Sequence, residues 1–156
     1  MAKIIFDGKK HIIMLISNDN IMQGKWVAYN NVDSRASFRH INNGNYQIID
    51  TLRPHWHIPD PNGPYGSYGI IRFNYPGHPG IGIHSGRANS LHDAGPKHAT
   101  MGCIRTTDDA MLKIKNYMGD SPLTTIEIIN NSGLSALNDT LRNASHIYTP
   151  IRAYLL

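Results

Sequence analysis

No apolar run in this chain is longer than the five residues Ile12 to Ile16, and 14 glycines, 9 prolines and many asparagines break up the rest. Short apolar runs bounded by turn residues suit a β-rich fold with many hairpins better than a helical one. Residues 3–6 and 10–16 flank Asp7-Gly8, a strong hairpin signal. Further strands are expected over 26–29, 44–50, 67–73, 81–84 and 123–129. The apolar period changes after residue 105. Thr106-Thr107 can cap a helix with Asp108 and Asp109 in its first turn, with Ala110, Met111, Ile114, Tyr117 and Met118 on one face, and with Gly119 as its stop. Leu134, Leu137 and Leu141 share helical spacing and predict a short C-terminal helix. A chain of 156 residues can bury one core. The expected fold is therefore a mostly β single domain over 1–130, with 131–156 as an extension packed on it.

Charge narrows the partners. The net charge of +4 and pI near 9.3 favour an anionic surface. The basic residues are scattered rather than gathered in a stripe, which argues against nucleic acid. Ile12 to Ile16 is far too short to span a membrane. It is also too short for a secretory leader, and no small-residue cleavage site follows it.

The chemistry concentrates in one stretch. The single cysteine, Cys103, lies in Thr100-Met-Gly-Cys-Ile-Arg105, nineteen residues beyond His84 in Gly82-Ile-His-Ser-Gly86. A lone cysteine is commonly a small buried hydrophobe. Here a glycine precedes it, allowing close backbone approach, and a histidine ends an apolar run that reads as a strand. The intervening segment is polar and loop-like, so both side chains can rise beside one cleft. A histidine is the usual partner that converts a thiol into a nucleophile, and the helix expected just beyond Cys103 would favour a thiolate through its dipole.

Histidine, fifteen residues, then Thr-x-Gly-Cys-Ile-Arg resembles the signature of the L,D-transpeptidase catalytic domain, the YkuD type, which remodels bacterial peptidoglycan. The resemblance extends loosely from about residue 2 to 129 and is specific between His84 and Arg105. Papain-like and NlpC-type peptidases place cysteine before histidine, the reverse of the order here. The resemblance implies a β-sandwich with Cys103 as nucleophile and His84 as base, and with Ser85 orienting the base through its carbonyl. It implies an oxyanion hole from the Gly102 and Cys103 amides, and an Arg105 that holds the loop or a substrate carboxylate. Met101 departs from the family pattern, which has a second histidine there. Substrate contacts are expected from Arg105, Tyr68, Arg87, Met101 and Trp56, the last in a proline-rich segment (54–64) that reads as a lid or binding wall.

The implied reaction is acyl transfer on peptidoglycan stem tetrapeptides, by transpeptidation, carboxypeptidation or D-amino acid exchange, with no cofactor. The alternative from another class is an inactive wall-binding module of the same fold. The expected place of action is the periplasm or cell wall. With no leader read in the chain, the expectation is delivery by a dedicated system, as an interbacterial effector of the type VI kind with an immunity partner; a chain whose leader was removed is the rival. Nine histidines raise a metal reading, but Glu127 is the only glutamate and no HxxE or HExxH pattern occurs. His55 and His57 therefore read as lining of the lid, and no metal is expected.

Overall fold

The computed structural model describes residues 1–37 and 39–131. Among them, β1 (Ala2–Asp7), β2 (Ile12–Ile16), β3 (Met22–Val27), β4 (Gly44–Gln47) and β8 (Leu123–Ile129) form a five-stranded sheet in the order β3-β2-β1-β8-β4. A smaller sheet, ordered β5-β6-β7, joins β5 (Ile71–Arg72), β6 (Gly82–His84) and β7 (Ile104–Arg105). One helix, α1 (Asp108–Met118), lies between β7 and β8 in the chain. The architecture is mostly β, as the turn-rich sequence predicts.

β1 and β2 form the expected antiparallel hairpin, though its turn is wider than two residues. Asp7 Oδ1 accepts the Lys9 and Lys10 amides at 3.0 and 3.1 Å, and His11 closes the turn with φ 55°. β8 runs parallel to β1, with a register shift between Ala2 and Lys3. The shift explains why the buried positions of β8 change phase, from Leu123 to Ile126 and Ile128. Ile4, Phe6, Ile13, Leu15, Ile126 and Ile128 share one core with Ile71, Ile83 and Ile104 of the small sheet, with Phe73 just beyond β5, and with Met111, Ile114 and Met118 of α1. Each large side chain buried this way contributes roughly 2 to 3 kcal/mol.

Three strand expectations need correction. The strand expected over 26–29 begins at Met22, because an edge strand with exposed side chains carries little apolar pattern. The strand expected over 44–50 leaves the large sheet after Gln47. There Ile48 N still bonds Thr124 O at 2.8 Å, but Ile49 N bonds Arg72 O at 2.8 Å, so the chain crosses between sheets. Only Ile71–Arg72 remains of the strand expected over 67–73. Gly69 sits at φ 75° with its backbone against His55 O, a conformation that ends a strand. Helix α1 follows its expected start, with Thr107 Oγ1 accepting the Ala110 amide at 3.0 Å. Its face is also as read: Ala110, Met111, Ile114 and Met118 are buried and Tyr117 packs partly against the core. The tail helix expected at Leu134, Leu137 and Leu141 lies outside the described residues.

Candidate active site

β6 and β7 are parallel, pairing Ile83 with Ile104 and His84 with Arg105. Side chains alternate between faces along a strand, so Ile83 and Ile104 enter the core while His84, Cys103 and Arg105 share the opposite face. These three line one cavity of about 250 Å³ together with Tyr65, Arg87 and Met101.

His84 is buried, and its Nδ1 lies 2.8 Å from Ser85 O. A carbonyl can only accept, so Nδ1 carries the proton and Nε2 keeps its lone pair. Burial drives the imidazole down to about 4, against the Ser85 hydrogen bond and with further lowering from Arg105 and His57. His84 is therefore neutral near pH 7. The neighbouring Ser85 hydroxyl donates to Asp108 Oδ1 at the start of α1. Ser67 reaches the same carboxylate through its hydroxyl at 2.6 Å and its amide at 3.1 Å. Burial would raise the Asp108 carboxyl, but these hydrogen bonds outweigh it and hold it below the usual carboxylate value.

Cys103 is half-buried, with Sγ 3.9 Å from Gly80 O. Burial pushes its thiol up, against a backbone hydrogen bond at Gly82 and the charge of Arg105. The expectation of a thiolate favoured by the helix dipole is therefore overturned. Helix α1 begins at Asp108, five residues beyond the sulfur, and its own first turn holds Asp108 and Asp109. The resting pair is a neutral thiol beside a neutral imidazole.

The backbone around the sulfur is pinned by side chains. Asn30 Nδ2 donates to Gly102 O at 2.8 Å and Cys103 O at 3.2 Å, and Thr100 Oγ1 donates to Cys103 O at 2.7 Å. Asn30 is itself held, since its Oδ1 accepts the Ile41 amide and Asn131 Nδ2 at 2.8 and 3.0 Å. Gly102 stands at φ 137°, a conformation L side chains rarely adopt. Its amide, expected to face an oxyanion, instead donates to Thr100 Oγ1 at 3.0 Å. Arg105 is also engaged internally. Its guanidinium donates to the carbonyls of His98 (2.7 Å), Pro64 (2.9 Å), Ser85 (3.3 Å) and Ala99 (3.3 Å). Of the two expected roles for Arg105, the geometry is that of the loop-holder.

Trp56 and Tyr68 lie outside this cavity. They line a neighbouring open groove of about 880 Å³ with Pro54, His55 and His57. Trp56 is 71% exposed, and Lys115 Nζ sits 5.7 Å from the centre of the Tyr68 ring. The groove reaches the cavity through rings: His57 stacks on Tyr65 at 4.1 Å, and Tyr65 meets His84 edge-on at 5.0 Å. His55 and His57 are thus ring neighbours, and no cluster of three metal-ligating side chains occurs among the described residues. Sequence reasoning missed the supports Asn30, Thr100, Ser67 and Asp108. Asp108 was visible only as a helix first-turn acid.

The fold and the cleft define a class: a two-sheet β domain whose histidine ends one strand and whose cysteine immediately precedes the parallel strand beside it. Residues 2–128 match the YkuD family model, the L,D-transpeptidase catalytic domain, and the chain belongs to that family. The L,D-transpeptidase of Stackebrandtia nassauensis is 16% identical with a TM-score of 0.56, over 85% of this chain and 57% of that one. Bd1075 of Bdellovibrio bacteriovorus is 17% identical with a TM-score of 0.59, over 94% and 55%. The helical cell shape determining protein Pgp2 of Campylobacter jejuni is 14% identical with a TM-score of 0.58, over 90% and 54%. This chain thus spans little more than half the length of the structures it resembles, and at such identities they share its fold. Comparison with curated proteins found no match. No helix among the described residues is long and apolar enough to cross a membrane.

Proposed function

We propose that this chain is a cysteine acyltransferase acting on the tetrapeptide stems of peptidoglycan. The observation that carries this reading is the pairing of Cys103 with His84 in one cavity, with His84 Nδ1 tied to Ser85 O and Nε2 left as the base. As Sγ attacks the carbonyl that joins the third residue to the terminal D-alanine, Nε2 takes the thiol proton. The Cys103 amide is the donor we assign to the developing oxyanion, since the Gly102 amide serves Thr100. Collapse breaks the C–N bond, leaves a thioester on Sγ, and returns the proton from Nε2 to the departing D-alanine amine. A second stem's amine then gives a 3→3 cross-link, water gives a shortened stem, and a free D-amino acid gives an exchanged stem. Because both groups are neutral at rest, the proton moves during attack rather than before it.

Mass spectrometry of disaccharide-tetrapeptides tests the chemistry and identifies the acceptor. Wild type should release D-alanine and show a thioester-bound form, and Cys103→Ala should do neither. Release by Cys103→Ala would refute the assignment of the nucleophile. Met101 is 59% exposed at the cavity, without a proton to donate, so Met101→His should shift the ratio of hydrolysis to transfer while acylation persists.

The raised Cys103 thiol favours a second reading, a wall-binding module with an inert cysteine. Iodoacetamide separates the two: rapid alkylation that weakens in His84→Ala supports the enzyme, and slow alkylation unaffected by that change supports the module. Use of the same chemistry in the periplasm, as a toxin against a competing cell with an immunity protein covering the cleft, is part of the proposal. Expression in a susceptible bacterium should be toxic only with a periplasmic signal and harmless for Cys103→Ala. Equal toxicity from the cytoplasmic form would defeat the toxin role.

A further inference from the structure

Three guanidinium groups, of Arg35, Arg87 and Arg105, border the thiol cavity, and their hydrogen bonding differs. Arg105 points its donors into four backbone carbonyls, so its N–H groups are taken up by the protein. Arg87 lines the same cavity, and its Nε is buried with no hydrogen-bond partner. A buried donor left unmade is costly, and proteins keep few of them without a use.

The acids nearby do not answer Arg87. Asp33 is the one carboxylate among the cavity-lining residues, and it is held by Arg35 through Oδ1 at 3.1 Å and Oδ2 at 3.0 Å. Asp108 is occupied by Ser67 and Ser85. Arg35, Arg87 and Arg105 therefore face the cavity with a single, already paired carboxylate among them, so its lining carries two more guanidinium groups than carboxylates. Burial first, and then the nearby Arg87 charge, lower Arg105 to about 10, so it stays cationic at neutral pH and the positive excess is real.

Arg87 is also fixed in place. Its φ is 55°, a sparsely populated conformation for a residue with a side chain. Its amide donates to Gly63 O at 3.0 Å, while its carbonyl accepts the Gly95 amide at 2.7 Å and the Ser90 amide at 3.2 Å. Three hydrogen bonds hold the backbone in a strained geometry, and such strain tends to be sustained where a side chain must be presented.

We infer that Arg87 is the anchor for a carboxylate of the stem peptide, gripping the donor so that its scissile carbonyl lies at Cys103. The inference rests on the proposed acyl transfer and names what selects its donor. A guanidinium matches a carboxylate in planar, two-pronged fashion, which lysine cannot reproduce. Two carboxylates of a stem qualify, the terminal one of D-alanine and the one on the side chain of a diacid third residue.

The test uses a free tetrapeptide and two analogues, one amidated at its C terminus and one at the third-residue side chain. For the free peptide, Arg87→Met should raise KM about tenfold to a hundredfold with little change in kcat, as the loss of one charge-assisted pair predicts. Arg87→Lys should recover part of the loss. Amidating the carboxylate that Arg87 grips should cost wild type about as much as the mutation, and should cost Arg87→Met almost nothing further. Whichever analogue behaves so identifies the carboxylate. Unchanged KM in Arg87→Met, or full additivity with both analogues, would overturn the inference. Calorimetric binding of the free tetrapeptide to Cys103→Ala, with and without Arg87→Met, keeps the question separate from chemistry. Should wild type cleave no peptide, the acyl transfer fails, yet weaker binding with Arg87→Met still supports the anchor and equal binding still overturns it.

Discussion

In the five-stranded sheet β1 pairs from Lys3 to Asp7 with β2 on one side and along its whole length with β8 on the other, whereas no strand of the smaller sheet exceeds three residues. The large sheet is held by ladders and by an apolar face. The small one is held by side chains that reach across to backbone: Arg105 ties residues 64, 85, 98 and 99, and Asn30 and Thr100 tie residues 102 and 103. A short ladder leaves backbone groups free to be placed by polar anchors, and that freedom is what lets a thiol and an imidazole be set beside one cavity. The comparison predicts that mutations in the large sheet change stability and mutations in the small one change chemistry.

The largest break in that comparison comes from His84. His84→Gln should lower kcat/KM for D-alanine release by on the order of a thousandfold or more, with the thermal midpoint little changed. Loss of folding together with activity would mean that the small sheet depends on His84 for structure. Phe6→Ala is the mirror experiment. It should destabilise by about 3 to 5 kcal/mol in urea unfolding. Well below its new midpoint it should keep wild-type kcat, and a drop in kcat there would show that the sheets are not separable.

Acid sharpens the contrast through one buried group. His84 has an ordinary value of 6.5 in the unfolded chain and about 4 when folded. The unfolded state takes up a proton that the folded state refuses, so stability from this group is present above pH 6.5 and lost as pH falls toward 4. The loss should approach about 3 kcal/mol across that window and be absent in His84→Gln, measured by urea unfolding at stepped pH. The acid limb of kcat/KM should likewise fall near pH 4 rather than 6.5.

A smaller effect is expected at Asp108, which touches His84 only through Ser85. Asp108→Asn keeps an acceptor but drops the charge, and kcat should fall about tenfold with KM nearly constant. A change in KM alone would place Asp108 in substrate binding instead. The smallest effect belongs to Trp56, which stands in the neighbouring groove. Trp56→Ala should alter D-alanine release from a free tetrapeptide by less than about twofold, within the range of a surface substitution. A large loss would join the groove to the cavity as one binding site.

Sequence alone was a good guide where local chemistry repeats. The Asp7-Gly8 turn, the Thr107 cap and the apolar face of α1 each rest on patterns within a few residues of chain. The order and spacing of His84 and Cys103 resembled the family to which residues 2–128 belong. It was a poorer guide where the chain crosses between sheets after Gln47, and where Gly69 cuts short an apolar stretch.

What only tertiary structure decided is the state and surroundings of the reacting pair. Burial, not the sequence around Cys103, raises the thiol and lowers the imidazole, because desolvation depends on what packs against a group from distant parts of the chain. The Asn30 bonds to residues 102 and 103 span more than seventy positions, and the Ser67–Asp108 bond spans 41. Four carbonyls from distant segments converge on Arg105, and Trp56 and Tyr68 fell into a separate groove. Residue types and spacing single out Cys103 and His84, the proposed nucleophile and base, by local pattern. Their charge, their supports and the unanswered Arg87 arise from long-range packing, which no local pattern encodes.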